Sequence, residues 1–315
     1  MAEPDRRWLG IDLGGTNIKA VVLDDGGAVV GRSQSASCAA DGPDAVIAAL
    51  GAVGRAAIDE HGPVAGAGLA VPGPFDPETG TIVLFPNLPG PWPGVPIVER
   101  VAAALDVPTT IINDARAFTL AEGRVGAARG CDTVAAYVLG TGIGGGVIVG
   151  GRLHFGRGGR AGELAHQVIV ADGPPCGCGN RGCLEAVARS DVLTASAGQP
   201  TVDAVFAAAA DGDARAADAI STMVGHLAHA IANTITVLVP ERVVIGGGIA
   251  TAGDALFAPL RAEVARRLTL VPPDWCEIVP AELGTYAGAI GAALWASESS
   301  LVDAGYCVTR PRAQR

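Results

Sequence analysis

The chain has few aromatic residues, little positive charge and no long apolar run, and each shortage excludes a class of protein. Aromatic residues are 4% of the 315 residues while hydrophobic residues are 49%, so the cores must be built from finely packed aliphatic side chains. Lys19 is the only lysine, and the net charge of −10 argues against nucleic-acid binding. No stretch reaches membrane-spanning length without glycine or charge, and the first ten residues lack an apolar signal core. We therefore expect a cytoplasmic protein with no membrane and no nucleic-acid partner.

The chain also lacks the cysteine pattern of a disulfide framework, since its seven cysteines are an odd number. Three of them lie in the segment 161–185, AGELAHQVIVADGPPCGCGNRGCLE. One imidazole and three thiols within this short stretch match a tetrahedral Cys3His zinc site. The four predicted ligands are His166, Cys176, Cys178 and Cys183. Free thiols or a disulfide pair are the alternatives, although a Cys-x-Cys pair does not easily bridge to itself.

The predicted zinc is structural, because protein ligands fill all four positions and leave none for a water molecule. Glu163 and Glu185 flank the cluster, and structural zinc rarely needs carboxylates beside it. We expect the metal to hold a loop that presents Glu163, His166 and Glu185 to a ligand.

Glycine-rich turns divide the chain into two similar halves. The length of the chain also suggests about two domains. Each half opens with a strand, a glycine-rich turn and a second strand, the turns being DLGGTN from residue 12 and GTGIGG from residue 140. This repetition predicts two α/β lobes that face a common cleft, with ligands at the carboxyl ends of the strands. We expect residues 72–96 to be irregular, because they are rich in proline and glycine, and residues 184–195 to form one helix.

Three glycine turns are candidate phosphate sites. In residues 12–19, DLGGTNIK, Gly14 and Gly15 let the backbone approach an anion, and Thr16 offers a hydroxyl. A plain β-hairpin with a glycine bulge is the alternative. Residues 140–146 and 246–249 are the other candidates. None has the ending of a P-loop or the dinucleotide-binding fingerprint, but three such turns at strand ends favour phosphate binding.

Asn113 and Asp114 end a predicted strand and begin a predicted helix. Asn and Asp are favoured as helix caps, which is one interpretation. The other is a carboxylate at the carboxyl end of a strand, directed into the cleft, and we favour it because the glycine turns are expected at the same place.

Taken together, these motifs resemble those of the ROK family of sugar kinases and sugar-responsive repressors. The resemblance covers nearly the whole chain, residues 8–295, and is carried by DLGGTNIK, VPGPFDPETGTI with PNLPG, NDARAFTLAE, GTGIGGGVIVGGRLHFG and the cysteine segment. It implies the actin-like, ribonuclease-H-like duplicated α/β fold with two lobes. The small lobe is expected at 1–114, with a C-terminal helix at about 297–315 packing back on it, and the large lobe with the zinc site at 115–296.

The resemblance also implies roles for residues of this chain. Asp114 would be the general base for the sugar 6-hydroxyl. Asn113, Glu163, His166 and Glu185 would bind other sugar hydroxyls, with His166 also ligating structural Zn2+. The nucleotide and its Mg2+ would be held by Asp12, Gly14, Gly15, Thr16, Lys19, Thr141, Gly142 and Gly247.

The implied activity is that of an ATP-dependent kinase for the 6-hydroxyl of glucose, in a homo-oligomer such as a dimer or tetramer. Two departures from the family pattern, Ala165 for a glycine and Arg116 for an asparagine, leave an amino-sugar 6-kinase for kanosamine or N-acetylmannosamine as the alternative. Arg116 would alter sugar preference, touch a phosphate or point to solvent. A ROK regulator is less favoured, because only seven residues precede the first predicted strand and we expect no helix-turn-helix there.

Overall fold

The computed structural model describes residues 6–86, 88–298 and 309. It contains two compact units, one formed by the chain up to 121 together with the chain from 285, and the other by residues 122–284. The domain limits given above, 1–114 and 115–296, stay a prediction. The C-terminal helix expected at about 297–315 lies outside the described residues, apart from 297, 298 and 309.

The described residues form twelve strands and nine α-helices. The strands are β1 (Trp8–Leu13), β2 (Asn17–Leu23), β3 (Val29–Ala36), β4 (Gly66–Val71), β5 (Phe75–Asp76), β6 (Thr81–Ile82), β7 (Thr109–Asn113), β8 (Val134–Leu139), β9 (Ile143–Val149), β10 (Arg152–Leu153), β11 (Arg242–Gly246) and β12 (Glu277–Pro280). The helices are α1 (Pro43–His61), α2 (Ile97–Leu105), α3 (Asp114–Val125), α4 (Leu184–Ala188), α5 (Ser190–Ala197), α6 (Val202–Ala210), α7 (Ala214–Leu238), α8 (Asp254–Arg267) and α9 (Ala287–Ser297). No helix of the described part has both the length and the apolar content that crossing a membrane requires.

The first unit is built on a five-stranded sheet in the order β3-β2-β1-β4-β7. β1 pairs antiparallel with β2 and parallel with β4, which pairs parallel with β7. Every residue of β4 is buried, whereas β3 alternates between half-buried and exposed positions. This contrast is that of a central strand covered on both faces and an edge strand with one face in solvent.

Small residues let α9 pack directly on this sheet. A Cβ atom added to Gly10 of β1 would lie 1.9 Å from the carbonyl oxygen of Ala289, and one added to Gly68 of β4 would lie 1.8 Å from that of Ala292. Only glycine fits such approaches, which is how a core with few aromatic side chains reaches high packing density. Trp295 ends this contact, with its indole N–H donating to the carbonyl oxygen of Ile111 at 3.0 Å.

The second unit repeats the strand arrangement of the first. Its sheet has the order β10-β9-β8-β11-β12, in which β8 pairs antiparallel with β9 and parallel with β11, and β11 pairs parallel with β12. The aliphatic core of this unit joins β8 and β11 to α4, α5, α6, α7 and α8. The duplication expected from the glycine turns is therefore present at the level of sheet topology.

Helix α3 begins in the first unit and ends in the second. Its residue Glu122 is fully buried, and its carboxylate accepts backbone N–H groups of Ala127 at 2.8 Å, Glu282 at 3.1 Å and Leu283 at 3.0 Å. These bonds fix the end of α3 to the segment that precedes the return of the chain into the first unit.

The prediction that residues 72–96 are irregular is wrong for a short hairpin. Phe75 pairs with Ile82, so that β5 and β6 form a two-stranded sheet within this segment. Ile82 is 1% exposed, and its burial stabilises the pairing although proline and glycine surround it. Directly after this segment, α2 was not predicted. It follows Pro96 and buries one apolar face.

The prediction of a single helix over residues 184–195 is also wrong. The chain forms α4 and α5 with a break at Arg189, which is extended at φ −72° and ψ 164°. The N–H of Ser190 donates to the carbonyl oxygen of Gly140 at 3.0 Å. In a continuous helix this N–H would bond to a carbonyl oxygen of the preceding helical turn. The helix is therefore interrupted where the chain contacts the glycine turn that begins at Gly140.

Candidate functional site

In the first unit, sheet register places Asp12 and Asp114 at the same edge. Asp12 lies next to Ala70 of β4, and Val71 of β4 lies next to Asn113, the last residue of β7. Asp114 follows as the first residue of α3. The carboxyl ends of parallel strands are where α/β proteins collect ligands, so both carboxylates are at the expected edge.

The surroundings of Asp12 disfavour the ionised form of its carboxyl group. Burial raises its pKa from 3.8 to about 7, and the charge of Asp114 adds to the rise while that of Lys19 opposes it. A Cβ atom on Gly288, in the first turn of α9, would lie 2.6 Å from Asp12 Oδ2. The Lys19 ammonium also lies 5.8 Å from the ring centre of Tyr286. A cation beside Asp12 and Asp114 would relieve their repulsion.

The carboxamide of Asn113 caps α3 and holds Asp114. Its Oδ1 accepts the N–H groups of Ala115 at 3.1 Å and Arg116 at 3.3 Å, and its Nδ2 donates to Asp114 Oδ1 at 3.0 Å. The helix-cap interpretation thus describes Asn113, and the same residue orients the carboxylate beside it. Arg116 is 7% exposed, so of its three alternatives only the one in which it points to solvent is wrong.

The turn of residues 14–17 joins β1 to β2 as a hairpin. The Gly14 N–H donates to the Asn17 carbonyl at 3.0 Å, and the buried Ser37 donates its hydroxyl to the Gly15 carbonyl at 2.8 Å and its N–H to the Thr16 carbonyl at 2.9 Å. Gly15 and Thr16 remain exposed. The hairpin alternative describes the backbone, and an anion-binding role of the exposed tip stays a prediction.

In the second unit, the four predicted metal ligands lie together. One donor atom from each of His166, Cys176, Cys178 and Cys183 lies within 4.8 Å of the others. The Cys178 and Cys183 sulfurs are 3.7 Å apart, and the Cys176 sulfur is 3.6 Å from His166 Nδ1. A tetrahedral zinc ion with bonds of about 2.3 Å to sulfur and about 2.05 Å to nitrogen requires separations of about 3.8 Å and about 3.6 Å. The donor set and its spacing fit zinc, and the sulfur separation is too long for a disulfide bond.

The thiols themselves have unequal acidities. Burial raises the pKa of Cys183 to about 12, and burial also raises the pKa of Cys176. A backbone hydrogen bond from Asn180 lowers the pKa of Cys178. Three crowded thiols of this kind do not ionise together in water, whereas a divalent cation stabilises their thiolate forms.

Glu185 connects this cluster to the glycine turn after β8. Its Oε1 accepts the N–H of Ile143 at 3.2 Å, and its Oε2 lies 3.6 Å from the Cys176 sulfur. A Cβ atom on Gly142 would lie 2.8 Å from Oε1. Glycine at 142 therefore leaves the space that the carboxylate occupies.

Two glycine turns of the second unit also meet at one edge of its sheet. Gly247 follows β11 with φ +90°, and a Cβ atom there would lie 2.3 Å from the carbonyl oxygen of Leu139, the last residue of β8. Thr141 and Gly142 lie in the turn directly after β8. The positive φ and the close approach both require glycine at 247.

Comparison with known proteins decides the family. The family model described as ROK family matches residues 8–299. The chain belongs to the ROK family. Glucokinase of Thermotoga maritima is 37% identical to this ROK chain over 310 residues, covering 92% of this chain and 97% of the relative.

Two solved structures show the same fold in the family. The ROK hexokinase from Thermus thermophilus has a TM-score of 0.83 and 34% identity, covering 92% of this ROK chain and 98% of that chain. A ROK family glucokinase from Streptomyces griseus in complex with glucose and AMPPNP has a TM-score of 0.78 and 30% identity, covering 92% and 99%. The predicted fold class is confirmed: the chain has the α/β, actin-like and ribonuclease-H-like duplicated fold with two lobes.

The predicted site residues of this ROK chain are divided between the two units. In the first unit they are Asp12, Gly14, Gly15, Thr16, Lys19, Asn113 and Asp114, and in the second they are Thr141, Gly142, Glu163, His166, Cys176, Cys178, Cys183, Glu185 and Gly247. Two further residues of the site were not predicted: Ser37 holds the first glycine turn, and Gly288 packs on Asp12. Each acts across a long stretch of chain, so no local pattern identifies it.

Proposed function

We propose that this ROK family protein is an ATP-dependent hexose kinase that transfers the terminal phosphoryl group of ATP to the 6-hydroxyl of glucose. The observation that carries the proposal is the 37% identity to a glucokinase over nearly the whole chain. The relative whose structure contains glucose and AMPPNP supports both substrates.

Asp114 is the proposed general base. Phosphoryl transfer needs the attacking hydroxyl held in line and its proton accepted by a nearby carboxylate. Asp114 starts α3 at the carboxyl end of β7, and the Asn113 amide donates to its Oδ1 at 3.0 Å. This bond orients the carboxylate while it receives the proton of the 6-hydroxyl.

The remaining hydroxyls of the sugar are assigned to Asn113, Glu163, His166 and Glu185. His166 Nδ1 faces the Cys176 sulfur at 3.6 Å, so its Nε2 is the nitrogen assigned to the sugar. Fixed carboxylates and a fixed imidazole discriminate strongly, because a sugar that lacks a hydroxyl leaves a polar partner unpaired.

The nucleotide is assigned to the glycine turns. Their members are Gly14, Gly15, Thr16 and Lys19 in the first unit and Thr141, Gly142 and Gly247 in the second. Asp12 would hold Mg2+ or a water molecule bound to it, which fits a half-buried carboxylate whose pKa is raised to about 7 beside Asp114. Bound Mg2+ supplies neutralisation of the charge on the transferring phosphoryl group.

Zinc is the proposed metal of the Cys3His cluster, in a structural role. His166, Cys176, Cys178 and Cys183 would hold it, and the ion would fix the segment that carries Glu163 and Glu185. One zinc per chain, measured by metal analysis of the purified protein, is the expected result. Protein that is fully active without bound metal would refute this role.

An amino-sugar 6-kinase acting on kanosamine or N-acetylmannosamine is the second candidate. The observation that favours it is the buried Arg116, close in sequence to the proposed base and in place of the usual asparagine. The cytoplasmic location and the homo-oligomer, a dimer or tetramer, also stay predictions, and light scattering on the purified protein tests the second.

A coupled assay of ADP release tests the proposal. The panel comprises glucose, mannose, fructose, glucosamine, kanosamine and N-acetylmannosamine, each with MgATP. We expect the highest kcat/KM with glucose. In Asp114→Asn, glucose binding should persist while kcat falls by about 10³-fold or more. A protein that releases ADP with none of these sugars, or an Asp114→Asn variant with near-normal turnover, contradicts the proposal.

A further inference from the structure

Gln167 directly follows His166 and ends in an amide that reaches the core of the second unit. Its Nε2 lies 3.1 Å from the carbonyl oxygen of Leu164, 3.2 Å from Thr234 Oγ1 and 3.3 Å from Tyr137 Oη. Two N–H bonds serve these three acceptors, so one hydrogen is shared. Thr234 is 4% exposed and Tyr137 1% exposed, which means that the amide ties a loop to fixed interior groups.

The two interior acceptors hold each other in place. Tyr137 belongs to β8 and Thr234 to α7, and their oxygens are 2.7 Å apart. Tyr137 Oη also lies 3.4 Å from the carbonyl oxygen of Ala230. Burial raises the pKa of Tyr137 to about 12, so the phenol keeps its proton near neutral pH and the network remains intact.

The backbone around Gln167 also holds the segment that contains Cys183 and Leu184. The carbonyl oxygen of Gln167 accepts the N–H of Leu184 at 2.9 Å, and the neighbouring Val168 forms an antiparallel bridge with Cys183. Leu184 is the first residue of α4, and Glu185 is the second. The side chain of Gln167 therefore anchors the segment before it, and its backbone anchors the segment after the metal cluster.

We infer that Gln167 is a positioning residue that sets the places of Glu163, His166 and Glu185 for hexose binding, an inference that rests on the proposed function. Residues 164–166 form a single 3-10 turn, which is too short to hold itself rigidly. Without the amide, the Leu164 carbonyl loses a donor and the turn loses its bond to β8 and α7. The four metal ligands are not among these partners, so metal binding should be retained.

Gln167→Met tests the inference, because methionine has a similar length and no N–H group. Gln199→Met is the matched control, since Gln199 donates its backbone N–H to the carbonyl oxygen of Thr194 at 3.0 Å, a bond that the substitution keeps. For Gln167→Met we expect the KM for the hexose to rise about tenfold, the scale of one lost buried hydrogen bond. The KM for ATP and the zinc content should stay at the values of the wild type and the control.

A purely structural role predicts a different result, namely a lower unfolding temperature with an unchanged KM for the hexose. A folded, zinc-loaded Gln167→Met whose hexose KM stays within about twofold of the wild type would overturn the inference. If this variant does not fold, Tyr137→Phe combined with Thr234→Val removes the interior acceptors instead. It should raise the hexose KM in the same direction, and an unchanged KM there also overturns the inference.

The wild type in the same assay separates this inference from the proposed function. A wild type that phosphorylates a hexose, with both sets of variants unchanged, refutes only the positioning role. A wild type that phosphorylates no hexose refutes the proposed function, and the inference falls with it.

Discussion

Replacing Asp12 by asparagine should stabilise the ligand-free protein, and by more as pH rises. The folded state keeps a proton on Asp12 up to about pH 7, whereas the unfolded chain loses it near 3.8. Between these values the folded state binds more protons, so its free energy of unfolding falls as pH rises. At about 1.4 kcal/mol for each pKa unit, the full cost of ionising Asp12 is about 4 kcal/mol, and roughly 2–3 kcal/mol of it develops between pH 5 and pH 8.

The assay is urea unfolding of wild type and Asp12→Asn from pH 5 to pH 8 without metal or nucleotide. Tryptophan fluorescence mainly follows the relevant unit, because three of the four tryptophans, Trp8, Trp92 and Trp295, belong to it. Asp59→Asn, an exposed site on α1, is the control for loss of a charge. The advantage of Asp12→Asn should grow with pH, and added MgATP should stabilise the wild type more than the variant. An advantage that stays constant or shrinks from pH 5 to pH 8 would refute this electrostatic account.

Three further predictions, one of them with a control substitution, test the metal cluster, the packing of α9 and the role of Glu185. Cys178→Ser should lower the zinc content and raise the KM for the hexose, as measured by metal analysis and the coupled assay; retained activity in zinc-free protein would contradict the structural role. Gly291→Ala should lower the free energy of unfolding in urea by about 3 kcal/mol, because the added Cβ would lie 1.8 Å from a backbone oxygen of α3. Gly225→Ala is the control, since its Cβ would have no atom within 4 Å. That substitution should leave the free energy of unfolding unchanged or raise it by up to about 1 kcal/mol. Gly142→Ala should displace Glu185 and raise the hexose KM about tenfold, and an unchanged KM would show that the carboxylate does not serve the sugar.

Patterns within one segment predicted most of the fold. The apolar runs around the glycine turns predicted β1, β2, β8 and β9, and the repeat of that pattern predicted the duplication that the sheets show. The wrong predictions depend on contacts with residues that are distant in the sequence. The break between α4 and α5 depends on a bond from Ser190 to Gly140, and no periodicity in residues 184–195 reveals that partner.

The candidate site was likewise predictable where its residues are close in sequence and unpredictable where they are distant. The close spacing of the cysteines predicted a cluster whose donor atoms lie within 4.8 Å in the structure, while the identity of the metal stays a prediction. The surroundings of the site were not predictable. Gly288 approaches Asp12 from the far end of the chain, and Gln167 reaches acceptors on β8 and α7. Such contacts exist only after the chain has folded, so they leave no signal in neighbouring residues.

The arrangement of α9 also bears on how a ribosome can produce this enzyme. The helix that covers β1 and β4 is the last one of the described chain, and all of residues 122–284 are synthesised before it. The face of the first unit's sheet that α9 covers, which includes Gly10 and Gly68, is therefore exposed while residues 122–284 are synthesised. Nascent chains stalled before residue 287 should accordingly bind chaperones through that exposed face, and the chaperones should be released when α9 has been synthesised.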